Sequence, residues 1–391
     1  MKIVITHTDF RIYWPARIKG LAQQLACSGD SLYIIEIAGK GTLYSFSEER
    51  QDGANYYCLF PEERMEDIAP EKAGRLLYEK LEELNPDAVI AGPIAFPAGA
   101  AAVRWTRKRK KGIVIFDDAR LKDLGRSAFV NFIKRRVYRN VDAVLCPSSH
   151  WDETFRFFGF DKSQLFYGLD AVDNDFWRRD PVDKPALPSP FLLGVGRQAE
   201  GKNFLLLIKA FAQYKKMHAG PLSLVLVGEG IERPLLEDYV RENKIRDVHF
   251  YPFLSQEKLR AFYKSAELFV FPSLKESWGL VVNEAMASGL PVVAGDNVGC
   301  VTTLIDHGVN GYIFPSGNLS VLVNVLKDFF LLSDDDRLKM RDAALNKISH
   351  WGIPRFAAGA REAVLFARNH KKKRLFIDSV ILNLWHGRYN P

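Results

Sequence analysis

Short β-branched runs alternate with longer amphipathic stretches along most of the chain. In the first half, residues 2–6, 32–37, 88–90, 113–116 and 143–145 are apolar at successive positions rather than at alternate ones. That pattern predicts strands of a parallel sheet covered by helices on both faces. Between them, residues 71–84 place Leu76, Leu77, Leu81 and Leu84 at helical spacing and turn their charges the other way. A β-α-β-α order of this kind predicts an α/β chain with a doubly wound sheet.

The pattern breaks at 180–190, where Pro181, Pro185, Pro188 and Pro190 make a stiff, extended segment. It restarts with apolar runs at 191–196, 222–227, 248–253, 268–271, 291–294 and 312–314, each followed by helical periodicity. Two Rossmann-like domains are therefore expected, at 1–170 and 191–354, joined by a linker at 171–190. Ligands of open α/β sheets sit beyond the carboxyl ends of the strands, so two such sheets facing a central cleft would bind there. After Trp351 only helical patterns remain. Pro354 suits the first turn of a helix reaching Ala367, and the helices of 355–391 are expected to cross back and complete the first domain. Within them, the basic run at 371–374 precedes an apolar stripe of Ile377, Ile381, Leu384 and Trp385, which reads either as an interfacial helix or, as such stripes more often are, as core bracing the first domain.

A length of 391 residues suits two cores rather than one, and 47% hydrophobic with 26% charged residues excludes a disordered or fibrous chain. The uncharged stretch 88–103 is interrupted by Gly92, Pro93, Pro97 and Gly99 and is too short to span a bilayer. Lys2 follows Met1 and leads straight into an apolar strand, so no signal peptide is expected. Cys27, Cys58, Cys146 and Cys300 lie far apart, which argues against a disulfide framework or zinc site and suits a cytoplasmic protein.

Two segments carry chemistry. The first, GVGRQAEGKN at 194–203, lies between a strand and a helix. A dinucleotide fingerprint would need its third glycine two residues earlier. A P-loop is matched from Gly196 to Lys202, but Asn203 stands where the magnesium-binding hydroxyl belongs. A third reading is a metal-free clamp in which Arg197 and Lys202 project from a glycine turn toward a diphosphate. The plain alternative is a tight turn with two solvated cations.

The second, FPSLKESWGLVVNEAMASG at 271–289, predicts a strand, a loop and a helix that begins near Gly279 and stops at Gly289. The N–H groups of Gly279, Leu280 and Val281 would then sit unpaired at the positive end of the helix dipole, where phosphate binds readily. Glu276 precedes that end and Glu284 lies about one and a half turns into the helix. Carboxylates beside an anion site suggest groups that grip hydroxyls, a sugar on one side and a ribose on the other. Glu276 could instead merely cap the helix, an explanation that does not extend to Glu284.

The Glu276-x7-Glu284 spacing, the GxGRxxxxKN stretch, the VGEG run at 227–230, the SHW at 349–351 and the GLDAVDNDF connector at 168–176 together resemble the retaining glycosyltransferases of the GT-B fold, family 4. The resemblance is strongest over 164–360. It implies a nucleotide-sugar donor, favouring UDP over GDP, bound by 191–354, with 1–170 facing a glycan or lipid-linked acceptor of polysaccharide or lipopolysaccharide biosynthesis. Arg197 and Lys202 would hold the diphosphate with Gly196, Leu280 and Val281. Glu276 would bind the transferred sugar and Glu284 the ribose, while Phe253 lies in the segment similar to the family's base-binding turn. The resemblance implies no cofactor and no metal, and the chain offers no DxD pair at this site. Asp334, Asp335 and Asp336 are expected to be a solvated cap cluster between helices.

The sequence departs from the family in four places. Pro252 replaces a glycine in the base-binding turn, Thr303 stands where a glutamate is frequent, HTDFRIYW at 7–14 stands in place of a glycine-rich loop after the first strand, and Asp117 and Asp118 end a strand where the family often has an active-site histidine. His7, at the end of the first strand, and Asp118 are the acceptor-side candidates. Cations cluster at 104–111 and 134–139; they could be solvated helix ends or bind an anionic glycan, but exceed what capping requires and point to an anionic membrane surface at the inner face rather than to nucleic acid, for which no base-reading motif is present. Two alternatives stand beside the transferase: a P-loop nucleotide hydrolase, and a catalytically silent protein that binds a glycan.

Overall fold

The computed structural model describes residues 1–40, 53–123, 125–182, 186–218, 220–370 and 375–389. Contacts divide the chain into two units, Met1–Ala171 with Ile353–Pro391, and Val172–Gly352.

The first unit holds seven parallel strands: β1 (Lys2–His7), β2 (Ser31–Lys40), β3 (Tyr56–Arg64), β4 (Ala88–Ala91), β5 (Gly112–Phe116), β6 (Ala143–Cys146) and β7 (Leu165–Tyr167). Their order is β3-β2-β1-β4-β5-β6-β7. Every residue of β4, β5 and β6 is buried, which is why those runs are apolar throughout. The sequence pattern passes over β3 and β7. β3 is an edge strand whose Pro61, Glu62, Glu63 and Arg64 serve an exposed edge, and β7 is only three residues long. Helices α1 (Trp14–Ala26), α2 (Pro70–Leu84), α3 (Pro97–Arg109), α4 (Ala128–Tyr138) and α5 (Asp152–Phe157) connect the strands.

The second unit has six parallel strands, all at the expected places: β8 (Phe191–Val195), β9 (Ser223–Val227), β10 (Val248–Tyr251), β11 (Leu268–Phe271), β12 (Val292–Gly295) and β13 (Gly311–Phe314). They are ordered β10-β9-β8-β11-β12-β13. β10 ends before Pro252, which has no N–H to give to a ladder. The helices are α6 (Asn174–Arg178), α7 (Phe204–Met217), α8 (Arg233–Glu242), α9 (Gln256–Ser265), α10 (Leu280–Ala287), α11 (Val301–Leu304), α12 (Leu319–Leu331) and α13 (Asp334–Ser349). Residues 171–190 are not a bare linker. Asp173 caps α6 by accepting from the Phe176 N–H, and Trp177 is buried with its carbonyl receiving the Ser288 hydroxyl. The three aspartates 334–336 form the first turn of α13 rather than its cap, which is Ser333.

The chain then returns to the first unit through α14 (Ile353–Asn369) and α15 (Phe376–Leu384). α14 lies against α1 and across β4 to β7 through a face of small residues, Ala357, Gly359, Ala360, Ala363 and Ala367. On α15 the stripe is only partly buried, with Ile381 and Trp385 half-buried. Asp378 and Leu382 are the buried residues, while Ile377 and Leu384 are exposed. The basic run 371–374 lies outside the described residues. No described helix is long and apolar enough to cross a membrane.

Helix propensity favours alanine over glycine by about 1 kcal/mol, yet a Cβ on Gly359 would lie 2.2 Å from the Tyr167 carbonyl oxygen. The clash, worth about 1–3 kcal/mol as overpacking, outweighs the propensity gain. Gly359→Ala is therefore expected to lower the melting temperature by roughly 2–6 °C in thermal unfolding. A higher melting temperature would mean that α14 does not sit this close to β7.

Candidate active site

A doubly wound sheet opens a crevice where its strand order reverses. In the second unit that point lies between β8 and β11, which pair with each other while the chain runs outward from each. The two segments singled out in the sequence leave these two strands.

The loop after β8 is fixed by a glycine run from the next strand. Gly196 N–H donates to the Val227 carbonyl at 3.0 Å and Gln198 N–H to the Glu229 carbonyl at 2.7 Å. A Cβ on Gly228, at φ +133°, would stand 2.1 Å from the Gly196 oxygen, and one on Gly230 would stand 2.2 Å from the Gln198 oxygen. The VGEG run thus exists because two backbones touch there. Beyond it, residues Glu200–Lys202 make a 3-10 turn whose Gly201 carbonyl accepts from Leu274 N–H and Ser273 Oγ, each at 2.9 Å. The first segment is bolted to the second.

Across that junction Lys202 Nζ forms an ion pair with the Glu276 carboxylate and lies 5.4 Å from the centre of the Phe271 ring. Glu276 therefore has a role other than capping; α10 starts from Gly279 in a left-handed conformation, φ +101°, with no side-chain cap. Val282 N–H closes on the Gly279 oxygen at 2.9 Å, and helical geometry gives Leu280 and Val281 N–H no intrahelical acceptor. The loop is braced from behind by Gly299 N–H to the Glu276 carbonyl and Cys300 N–H to the Trp278 carbonyl, each at 3.0 Å. Gly196, Lys202, Glu276 and the start of α10 are brought together; Arg197 is exposed on the same loop, and Phe253 is 41% exposed after β10.

Glu284 is only 2% exposed, and it accepts a hydrogen bond from Tyr263 Oη at 2.9 Å. A ligand is thus not the sole explanation for a carboxylate at that position. Tyr263, on α9, was not legible as part of the site because its sequence neighbourhood reads as ordinary helix. Arg233 was missed for the same reason; its guanidinium ties the Gly228 and Tyr251 carbonyls at 3.1 and 3.3 Å.

The P-loop match does not survive the geometry. A P-loop cradles phosphates with consecutive backbone N–H groups. Here the N–H groups of Gln198, Ala199, Lys202 and Asn203 are spent on the carbonyls of Glu229, Arg197, Ala199 and Glu200.

In the first unit the order reverses between β1 and β4. His7 ends β1, ringed by Phe10, Trp14 and Phe116 with centroids 5.1–5.8 Å away. Its Nδ1 has no hydrogen-bond partner among the described residues. Burial, opposed by Asp9 and assisted by Arg17, pushes its pKa down to about 4, so the ring is neutral at pH 7. Arg17 of α1 donates through Nε to the Ala171 carbonyl at 2.9 Å and lies 3.6 Å from Asp170. Burial first, then the charges of Asp170 and Asp117, raise the Asp118 carboxyl to about 8. Burial also raises Asp170, against the pull of Arg17. A carboxyl whose pKa is raised in this way is better suited to donating a hydrogen bond than to taking a proton. The sequence reading missed Arg17 and Asp170. Arg17 carried a signal, since it falls on the stripe of Leu21 and Leu25, where a charge is out of place.

Because the folded state keeps a proton on Asp118 that the unfolded chain loses near the ordinary carboxyl value of about 4, this group's contribution to stability is full below that pH and lost as pH rises toward 8. Asp118→Asn removes that dependence. Its melting temperature is expected to gain on that of the unaltered protein from pH 5 to pH 8. A constant difference would show that Asp118 is charged throughout.

Residues 176–347 match the family described as glycosyl transferases group 1. Among curated relatives, an uncharacterized glycosyltransferase of Methanocaldococcus jannaschii is 37% identical over 132 residues, 33% of each chain. The chain spans between a third and a half of the length of the first curated relatives it matches. Sucrose-phosphate synthase from Thermosynechococcus elongatus superposes with a TM-score of 0.71 at 17% identity, covering 92% of this chain and 97% of that one. Anabaena HepE, solved in complex with UDP and glucose, gives 0.70 at 17% identity, covering 93% and 99%. The second unit accordingly carries a glycosyl transferases group 1 domain, and the chain has the α/β fold of the GT-B proteins.

Proposed function

We propose that this chain is a retaining glycosyltransferase that moves a sugar from a nucleoside-diphosphate sugar, UDP-linked in preference to GDP-linked, to a hydroxyl of a glycan or lipid-linked acceptor without a metal. The observation that carries the reading is Lys202 set against Glu276 beside the open end of α10, within the segment that matches the transferase family. The UDP preference draws on HepE, whose solved complex contains UDP and glucose.

In this reading the bond between the anomeric carbon and the diphosphate breaks, and the electron pair leaves with the diphosphate. The acceptor hydroxyl adds from the same face and gives up its proton to the departing phosphate oxygen. Negative charge grows on the diphosphate as the bond lengthens. Arg197, Lys202 and the N–H groups of Leu280 and Val281 meet it there, each fixed donor lowering the barrier by roughly 3 kcal/mol. That positive charge is what a divalent ion would otherwise supply. Lys202 leaves Glu276 for the phosphate, which frees the carboxylate for hydroxyls of the sugar. Glu284, steadied by Tyr263, takes the ribose. His7 and Asp118 belong to the acceptor side.

Three outcomes follow from this reading. UDP-sugars raise the melting temperature equally with and without EDTA, by the stabilisation that ligand above its Kd confers; a response that needs Mg²⁺, or none to any nucleotide sugar, contradicts it. In steady-state transfer assays Arg197→Ala lowers kcat by about 100-fold and raises KM less, because the pairing strengthens as the diphosphate leaves; an unaltered kcat removes Arg197 from the chemistry. Tyr263→Phe raises the donor KM several-fold with kcat nearly unchanged, and the loss is smaller for a 2′-deoxyribose donor. Equal loss for both donors would make Tyr263 merely structural.

A further inference from the structure

α15 buries little of its apolar surface for a helix in water, since only Asp378 and Leu382 of Phe376–Leu384 are buried. Its buried polar residue is Asp378, whose carboxylate takes Arg136 NH1 at 3.2 Å and Leu375 N–H at 3.1 Å, with Arg139 NH1 at 3.9 Å. The Asp378 carbonyl accepts from Asn140 at 3.3 Å. Ionic and polar contacts thus fasten α15 to α4; Leu382 is buried and Ile381 half-buried, but Phe376 is 87% exposed and Leu384 76%, with Ile377 and Val380 exposed as well. The neighbouring α4 repeats the arrangement. Phe129 is 72% exposed and Phe132 44%, while Lys134 is buried. Folding ordinarily hides such residues, and an apolar face of this size marks a surface that is covered in use.

The charges say by what. Residues 126–139 contain five cations, Arg126, Lys134, Arg135, Arg136 and Arg139, and no Asp or Glu. Arg136 lies over the Phe132 ring at 5.0 Å, so cation and apolar face are interleaved. On the other flank Arg104, Arg107 and Lys108 of α3 line a hollow with Ser379 and Asn383 of α15. A second copy docked about a twofold axis would set these cations against themselves. An anionic bilayer meets both requirements, since it takes apolar side chains at the headgroup boundary and attracts cations around them.

We propose that the α4–α15 face is a docking surface for anionic lipid, on which the chain lies without spanning it. The inference does not depend on the transferase reading, because no residue of the second unit enters it.

Sedimentation of the full chain with phosphatidylcholine vesicles, with and without phosphatidylglycerol, tests it. The chain is expected to pellet with the anionic vesicles and to be released by high salt. Phe129→Ser, Phe376→Ser and Leu384→Ser combined should weaken binding at least tenfold while leaving the melting temperature unchanged, since all three side chains are exposed. Arg135→Glu should weaken it on anionic vesicles only. Binding by the triple variant equal to that of the unaltered protein overturns the proposal, as does equal binding to neutral and anionic vesicles. So does a lipid-free dimer, seen by analytical ultracentrifugation, that the triple variant returns to monomer, for then the face belongs to a second copy.

Discussion

The second unit depends on a close backbone approach at one point of its sheet. The loops leaving β8 and β11 can touch only because Gly228 and Gly230 have no Cβ to hold the first loop away, and because the Gly201 carbonyl receives two donors from the second. With that junction made, Lys202 and Glu276 pair across it and α10 opens beside them. The cation, the carboxylate and the helix end are therefore positioned by backbone contacts, which hold loop geometry more firmly than surface side chains could. The ion pair, half-buried at 22% and 24% exposure, keeps two opposite charges together at one place.

The first unit manages charge by the opposite means. At its own strand reversal, burial lowers the pKa of His7 and raises that of Asp118, with Arg17 close by to offset Asp170.

Strands buried on both faces were legible in the sequence because burial leaves an unbroken apolar run, as in β5 and β11. β3 was not, since an edge strand carrying Pro61, Glu62 and Glu63 has only one side to bury. The two segments of the candidate site could be found because glycine, cation and carboxylate at fixed spacing are rare in plain turns. What pattern reading cannot deliver is pairing between distant elements. The bond from Tyr263 to Glu284, the tie of Arg233 to two strand ends and the burial of Asp378 by Arg136 all join residues that look ordinary where they stand. Asp378 is the sharpest case, because an apolar stripe was the natural reading of α15 and the fold buried its one carboxylate beside Leu382.

The central claim is that Lys202 exchanges Glu276 for a diphosphate at the mouth of α10. The most direct measurement is a crystal structure of the chain with UDP bound. The account predicts the β-phosphate within hydrogen-bonding distance of Lys202 Nζ and of the Leu280 and Val281 N–H groups, with Glu276 released. Nucleotide bound elsewhere, or Lys202 still paired with Glu276 beside an occupied site, would contradict it.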